Sequence, residues 1–306
     1  MKQFVQLLIL VGCGTACFSQ AADSKADSLR QAGNLEKAIE AYTNEFRKFP
    51  GNQKNTYDLA CAYALAFQKD SAYHYLDIAL KNDYSLWPLA DTDLYALTDD
   101  PRWAAVENRQ LAKFQEKEGT LEQPEYAREL LRILVKDQAL DYYIKQARKY
   151  YMEKGAIPQW YYPIAAYKKQ IGETSFNDLQ QLIARYGWPK YSTVGKLAAD
   201  AHLLVINHQE ADSVRKKYLP QIKRSCLEQE GSCVEYAKIQ DRILVNDNKP
   251  QRYGMQFRYN AQRQLEPFPI ADPEHVDKRR KAIGLEALKV YLKRKIDYDW
   301  KVIQKN

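Results

Sequence analysis

The stretches LEKAIEAYTNEFRKFP (35–50) and KDSAYHYLDIALKNDY (69–84) decide the fold of the first half of this chain. Laid over one another at an offset of 34 residues, Ala38 falls on Ala72 and Tyr42 on Leu76. Each stretch has helical periodicity, and each follows a shorter helical segment. One starts near Ala26 and is broken by Gly33-Asn34; the other carries Leu59, Ala60 and Tyr63. Small residues at matched positions let paired helices approach, and large ones fill the groove between them.

This pattern resembles tetratricopeptide repeats over roughly residues 22–86. Pro50 stands at the terminal proline of the first unit, Tyr84 replaces the second, and Thr56 stands where a bulky aromatic is usual. A third unit is expected to cap the pair. Asp91 and Asp93 belong to its first part, read as capping residues because no ordered calcium-loop spacing is present. Asp100 is expected to cap a helix with Pro101 at its first position, running to about Lys117. Trp103 and Val106 would cover the end of the stack. The module is thus assigned to residues 22–117, and the resemblance implies a groove for a peptide or protein partner.

The chain has 306 residues, enough for two domains. Only 12 Gly and 12 Pro suit long helices and disfavour an all-β or loop-rich protein. Phe4 to Gly12, after Lys2, reads as the apolar core of an export signal and is too short to span a bilayer. Two processing patterns stay open. A leader over residues 1–21 would release a soluble periplasmic protein. A lipobox over Leu10-Val11-Gly12-Cys13 would end the leader at residue 12 and make Cys13 a lipid anchor. An oxidising compartment permits a disulfide, and Cys226 and Cys233 flank a turn at Glu230-Gly231-Ser232. Cys61 reads as a core residue. A net charge of +7 is mild, and with an export signal it argues against nucleic acid as a partner.

The second domain is expected over residues 122–300, a helical α+β unit, so the whole chain is mainly α. The rings from Tyr142 to Tyr162 fall at helical spacing and are expected mostly in the core. Val194 to Ile206 is apolar enough for one buried helix. Tyr253 to Tyr259 and Leu265 to Ile270 read as strands of a small hairpin, and Asp272-Pro273 as the start of a helix. The ordered set Asp137-Gln138, Gly187-Trp188-Pro189, Val194-Gly195, His208, Asp241-Arg242, Gln251-x-Tyr253-Gly254-x-Gln256, Pro269-Ile270, Asp272, Val276-Asp277, Arg279-Arg280 and Gly284-Leu285 resembles the bacterial domain-of-unknown-function family 6624, over roughly residues 125–295. Met255 departs from the expected threonine, and Leu140-Asp141 from an expected basic residue. The resemblance implies no reaction.

No phosphate loop, nucleophile elbow or zinc helix motif is present, and no cofactor or metal set is read. His202 and His208, six apart, fall on different helix faces. The chemistry-bearing set is His208, Asp241, Arg242, Gln256 and Arg280, with Gln251 and Tyr253 as binding candidates. Two readings stay open. In one, His208 is an acid/base, Asp241 orients it, and Arg242 or Arg280 clamps an anion. In the other, these residues form a buried network in which Asp241 pairs with an Arg and Gln256 satisfies hairpin backbone groups. The first matches an envelope enzyme, most simply a hydrolase. The second matches an exported, non-catalytic binding protein. They differ in whether His208 meets a carboxylate and a guanidinium in a cleft.

Overall fold

The computed structural model describes residues 24–305. The leader assigned to residues 1–21 and the lipidation candidate Cys13 lie outside them. The described chain divides at Pro124/Glu125 into two compact units. Both are mainly helical, and the second adds a two-stranded sheet. Among the described residues no helix is long and apolar enough to cross a membrane.

The first unit runs α1 (Lys25–Gln31), α2 (Leu35–Lys48), α3 (Gln53–Leu65), α4 (Lys69–Ala79), three short 3₁₀ turns and α5 (Trp103–Glu118). Ser24 and Asp27 form a reciprocal capping box on α1, at 3.1 and 3.0 Å. Consecutive helices pack as α1 on α2, α2 on α3 and α3 on α4. Ala38, Ala60, Ala64 and Ala72 are wholly buried, and Tyr42 and Leu76 fill the space beside them. Tyr42 also donates to Asp27 Oδ1 at 2.5 Å, so its polar end is satisfied inside the core. Arg30 pairs with Asp58 and Asp93, and Asp91 caps the turn at Thr92–Leu97. Asp100 corrects one expectation: α5 starts at Trp103, not Pro101. The Asp100 carboxylate accepts from the Arg102 backbone N–H and guanidinium, which closes a side-chain turn ahead of the helix. Trp103 and Val106 are buried.

The second unit runs α6 (Pro124–Gln138), α7 (Asp141–Lys154), α8 (Tyr161–Tyr186), α9 (Tyr191–Val194), α10 (Lys196–His208), α11 (Asp212–Leu227), α12 (Cys233–Asn246), β1 (Phe257–Tyr259), β2 (Leu265–Pro267), α13 (Val276–Lys281) and α14 (Leu288–Ile296). Apolar α10 is central and packs on α8, α11 and α12. The run from Val194 is not one helix, because Gly195 at φ +79° separates α9 from α10. Cys226 and Cys233 are disulfide-bonded across the α11–α12 turn. A Cβ on Gly231 in that turn would lie 2.9 Å from the Ser225 Cβ, so the close approach needs glycine.

Three further expectations are corrected. The tyrosine-rich segment is not mostly core: Tyr142, Tyr143, Tyr150, Trp160 and Tyr162 are exposed, while Tyr161 is buried. Helices α7 and α8 meet through Ile144, Ala147 and Tyr161, which leaves the other rings on outer faces. The strands are only three residues each, paired Phe257 to Pro267 and Tyr259 to Leu265. Residues 251–256 form a turn instead. Asp272 stands at the N-cap of a 3₁₀ turn, Pro273–His275, that leads directly into α13, but its side chain makes no capping bond; the carboxylate pairs with His275 at 2.9 Å instead.

Candidate functional site

The polar residues that the sequence groups together separate into two sets. The first winds the 251–256 turn onto α12. Asp241 is fully buried, and its Oδ1 accepts from the backbone of Arg252 at 2.7 Å and Tyr253 at 3.0 Å. Its Oδ2 accepts from Tyr253 at 3.0 Å and Met255 at 2.9 Å. Burial pushes the Asp241 carboxyl up to about 6, against the downward pull of these N–H groups and the Arg280 charge. Gln251 donates to the carbonyls of Gln256 and Phe268 and accepts from the Gln256 N–H at 2.8 Å. Gln256 reaches the Lys238 carbonyl on α12 at 2.9 Å. Arg280 bonds the carbonyls of Tyr253 and Glu286 and lies 4.8 Å over the Tyr291 ring. The turn needs glycine at one position: Gly254 has φ +76°, and a Cβ there would meet Leu288 at 2.5 Å.

This arrangement corrects the expected roles. Asp241 neither orients His208 nor pairs with an Arg; its oxygens are taken by backbone N–H groups. Gln251, rather than Gln256, satisfies the hairpin backbone. Arg280 holds carbonyls and is not an anion clamp, and Tyr253 is buried against Tyr236. Neighbours on a helix project roughly 100° apart, so Asp241 and Arg242 face different surroundings.

The second set surrounds a cavity of about 520 Å³ lined by the ends of α6 and α10 and by α7, α8, α11 and α12. His208 ends α10 and lines this cavity. Its Nδ1 lies 2.7 Å from Asp137 Oδ2, at the end of α6. Asp137 is fully buried; its Oδ2 also accepts from Gln138 at 2.9 Å, and its Oδ1 has no hydrogen-bond partner among the described residues. Burial alone would raise the Asp137 carboxyl, but the His208 charge and hydrogen bond, with Lys168, hold it down at about 2. A carboxylate at that distance accepts a hydrogen bond from Nδ1–H, which leaves Nε2 as the basic nitrogen of the neutral ring. Lys168 bridges the Asp137 carbonyl and Asp141 Oδ1, the latter at 2.9 Å.

Arg242 lines the same cavity from α12. It donates to the carbonyl of Asn207, the residue before His208. It is 7% exposed, and among the described residues it makes no ion pair and its buried Nε has no partner. Burial and the nearby Arg215 charge push it down to about 9. The remaining walls are mostly apolar, with Ile144, Tyr161, Ala165 and Val214 among them.

Of the candidates, His208 and Arg242 thus meet at the cavity, while Asp241, Gln251, Tyr253, Gln256 and Arg280 do not line it. Asp137, Asp141 and Lys168 were missed as site residues. Asp137-Gln138 stood in the family-like pattern, but nothing in its spacing tied it to His208, 71 residues on. His202 is a core residue: it is wholly buried against Trp188, bonded to the Ala199 carbonyl, and pushed down to about 3 by burial. Among the described residues no group of three or more His, Cys, Asp or Glu side chains comes together to hold a metal ion. A larger groove of about 840 Å³ lies between the hairpin and residues 296–302, but its charged residues are all exposed and no histidine lines it.

No curated protein and no solved structure matches the chain significantly. A family model, described as a family of unknown function (DUF6624), matches residues 124–303. That match spans more than half of the chain and the whole of the cavity described above, and the chain belongs to this family.

Proposed function

We propose that the C-terminal domain is an acid–base site, most simply a hydrolase, and that the N-terminal helical hairpins are tetratricopeptide-type repeats that dock a peptide or protein partner. One observation carries the first part: the His208–Asp137 pair lines an open, largely apolar cavity. In the proposed reaction, His208 Nε2 takes a proton from a water as that water attacks the substrate. It then returns the proton to the leaving group, while Asp137 stabilises the imidazolium. Lys168 positions the dyad by fixing Asp137 and Asp141. The purely structural alternative, a buried polar network, describes Asp241 and its partners well, but it does not account for a histidine base facing a cavity.

The test is turnover of a panel of activated 4-nitrophenyl esters and 4-nitrophenyl phosphate. Wild-type protein should turn over at least one of them. His208→Gln should lower that rate by roughly 10²–10⁴-fold, with an unchanged melting temperature. Turnover of none, or equal turnover by the variant, removes the hydrolase reading.

The repeat reading is supported by the 34-residue register and by the burial of Ala38, Ala72, Tyr42 and Leu76. The leader pattern supports export to the cell envelope, with Cys13 as a candidate lipid anchor. Fractionation tests the anchor: membrane-bound wild type and soluble Cys13→Ala support it, and soluble wild type opposes it.

A further inference from the structure

Two buried guanidiniums of the second unit, Arg280 and Arg242, have no carboxylate partner among the described residues; Arg280 has its Nε on the Glu286 carbonyl, whereas the Arg242 Nε has no partner. Arg215, equally buried, pairs with Asp212 at 2.6 Å, and Lys238 pairs with Glu235 at 2.5 Å. Among the described residues Arg242 has no carboxylate partner. Asp212, whose charge reaches it, is held by Arg215 and by Asn246. A buried guanidinium without a counter-charge is costly to maintain.

Capping of α10 does not explain it. The carbonyls at the end of that helix attract cations, but Arg215 already donates to Asn207, Gln209 and Glu210. Arg242 is a second donor to the Asn207 carbonyl, and its Nε is left without an acceptor among the described residues.

Most of the other charged side chains around the cavity have a side-chain partner. Asp137 pairs with His208, Asp141 with Lys168, and Glu210 with Lys169 at 3.8 Å. Glu173 is exposed on the rim. Arg242 is therefore the buried cation of the cavity lining that has no carboxylate partner among the described residues, held against the residue that precedes His208.

We propose that Arg242 recognises an oxyanion on the ligand of this cavity, so that the substrate class is a small organic anion, carboxylate or phosphate, with an apolar body. The guanidinium offers planar, paired N–H donors suited to either group. The apolar walls at Ile144, Tyr161, Ala165 and Val214 suit a hydrocarbon or aryl body rather than a polyol. This inference rests on reading the cavity as the ligand site, and it sharpens that reading to a ligand charge.

The test uses three matched probes: 4-phenylbutyrate, 4-phenylbutyl phosphate and neutral 4-phenylbutan-1-ol, titrated calorimetrically into the full chain without its leader. At least one anion should bind tenfold or more tightly than the alcohol, and the two anions distinguish a carboxylate from a phosphate site. Arg242→Gln should erase that preference, and Arg242→Lys should keep part of it. Where Arg242→Gln fails to fold, the Lys variant and the anion-to-alcohol ratio in wild type still decide. His208→Gln should bind the anion as wild type does while losing turnover, so loss of the hydrolase reading and loss of the anion proposal are separate results. Equal binding of anion and alcohol, anion binding unchanged in Arg242→Gln, or no binding of any probe would overturn the proposal.

Discussion

Asp137→Asn should lower any turnover His208 supports by roughly 10²–10⁴-fold, because an amide in place of the carboxylate can donate to Nδ1. The ring would then carry its proton on Nε2, the nitrogen that has to act as base. The same substitution should change acid stability. The Asp137 carboxyl is held at about 2, below its ordinary 3.8. A group whose folded value is depressed contributes stability above its unfolded value and loses it as pH falls through the folded one. The Asp137 carboxylate should therefore stabilise the fold above about pH 4, with the loss spread from about pH 4 down to about pH 2. Denaturant melts from pH 7 to pH 2 check this. The Asn variant should be less stable at pH 7, and the gap should close towards pH 2. A gap that stays constant across that range would show that the carboxylate charge contributes nothing.

Asp241→Ala should act on stability instead, with an expected cost of about 4 kcal/mol. Three backbone N–H groups lose their acceptor at once, those of Tyr253 and Met255 buried and that of Arg252 partly so. Each buried donor left unsatisfied costs about 1–3 kcal/mol, partly relieved where water enters. The turn they define also presents the Tyr253 carbonyl to Arg280 and places Gly254 against Leu288, so the substitution loosens α13 and α14 as well. Chemical denaturation gives the cost. Turnover measured well below the melting transition should stay within about threefold of wild type, since Asp241 does not line the cavity. A variant as stable as wild type, or a folded variant that loses turnover, would contradict the division into two sets.

The parts of the fold legible in the sequence were those set by periodic burial. The alanines at 38 and 72 and the apolar α10 are placed by packing that repeats along one helix face. The hairpin was legible as a pair of strands around Asn260–Arg263, but not its length. Apolar alternation from Tyr253 mimics a strand, whereas the Asp241 carboxylate captures three backbone N–H groups that a ladder would use. The tyrosine-rich segment misled for a related reason. Helical spacing locates a ring on a face, but only the neighbouring helix decides whether that face is covered, and here Ile144 and Ala147 occupy the contact.

The site was half legible. His208 and Arg242 carry side chains whose chemistry marks them, and both reach the cavity. Their partners were not visible because Asp137 and Lys168 come from α6 and α8, far away in the chain and joined to His208 only by helix packing. Asp241, adjacent to Arg242 in sequence, was the natural local choice for the orienting carboxylate. Helix geometry turns it away, and it serves the 251–256 turn instead.

The central claim is that Asp137 holds His208 with a basic Nε2 facing the cavity, and the ¹⁵N shifts of the His208 ring test it most directly. In the neutral ring, wild-type protein should show a protonated, pyrrole-like Nδ1 and an unprotonated, pyridine-like Nε2, and Asp137→Asn should move the population towards the Nε2–H form. A wild-type ring already in the Nε2–H form, or one averaging both tautomers and unaffected by the substitution, would contradict the account.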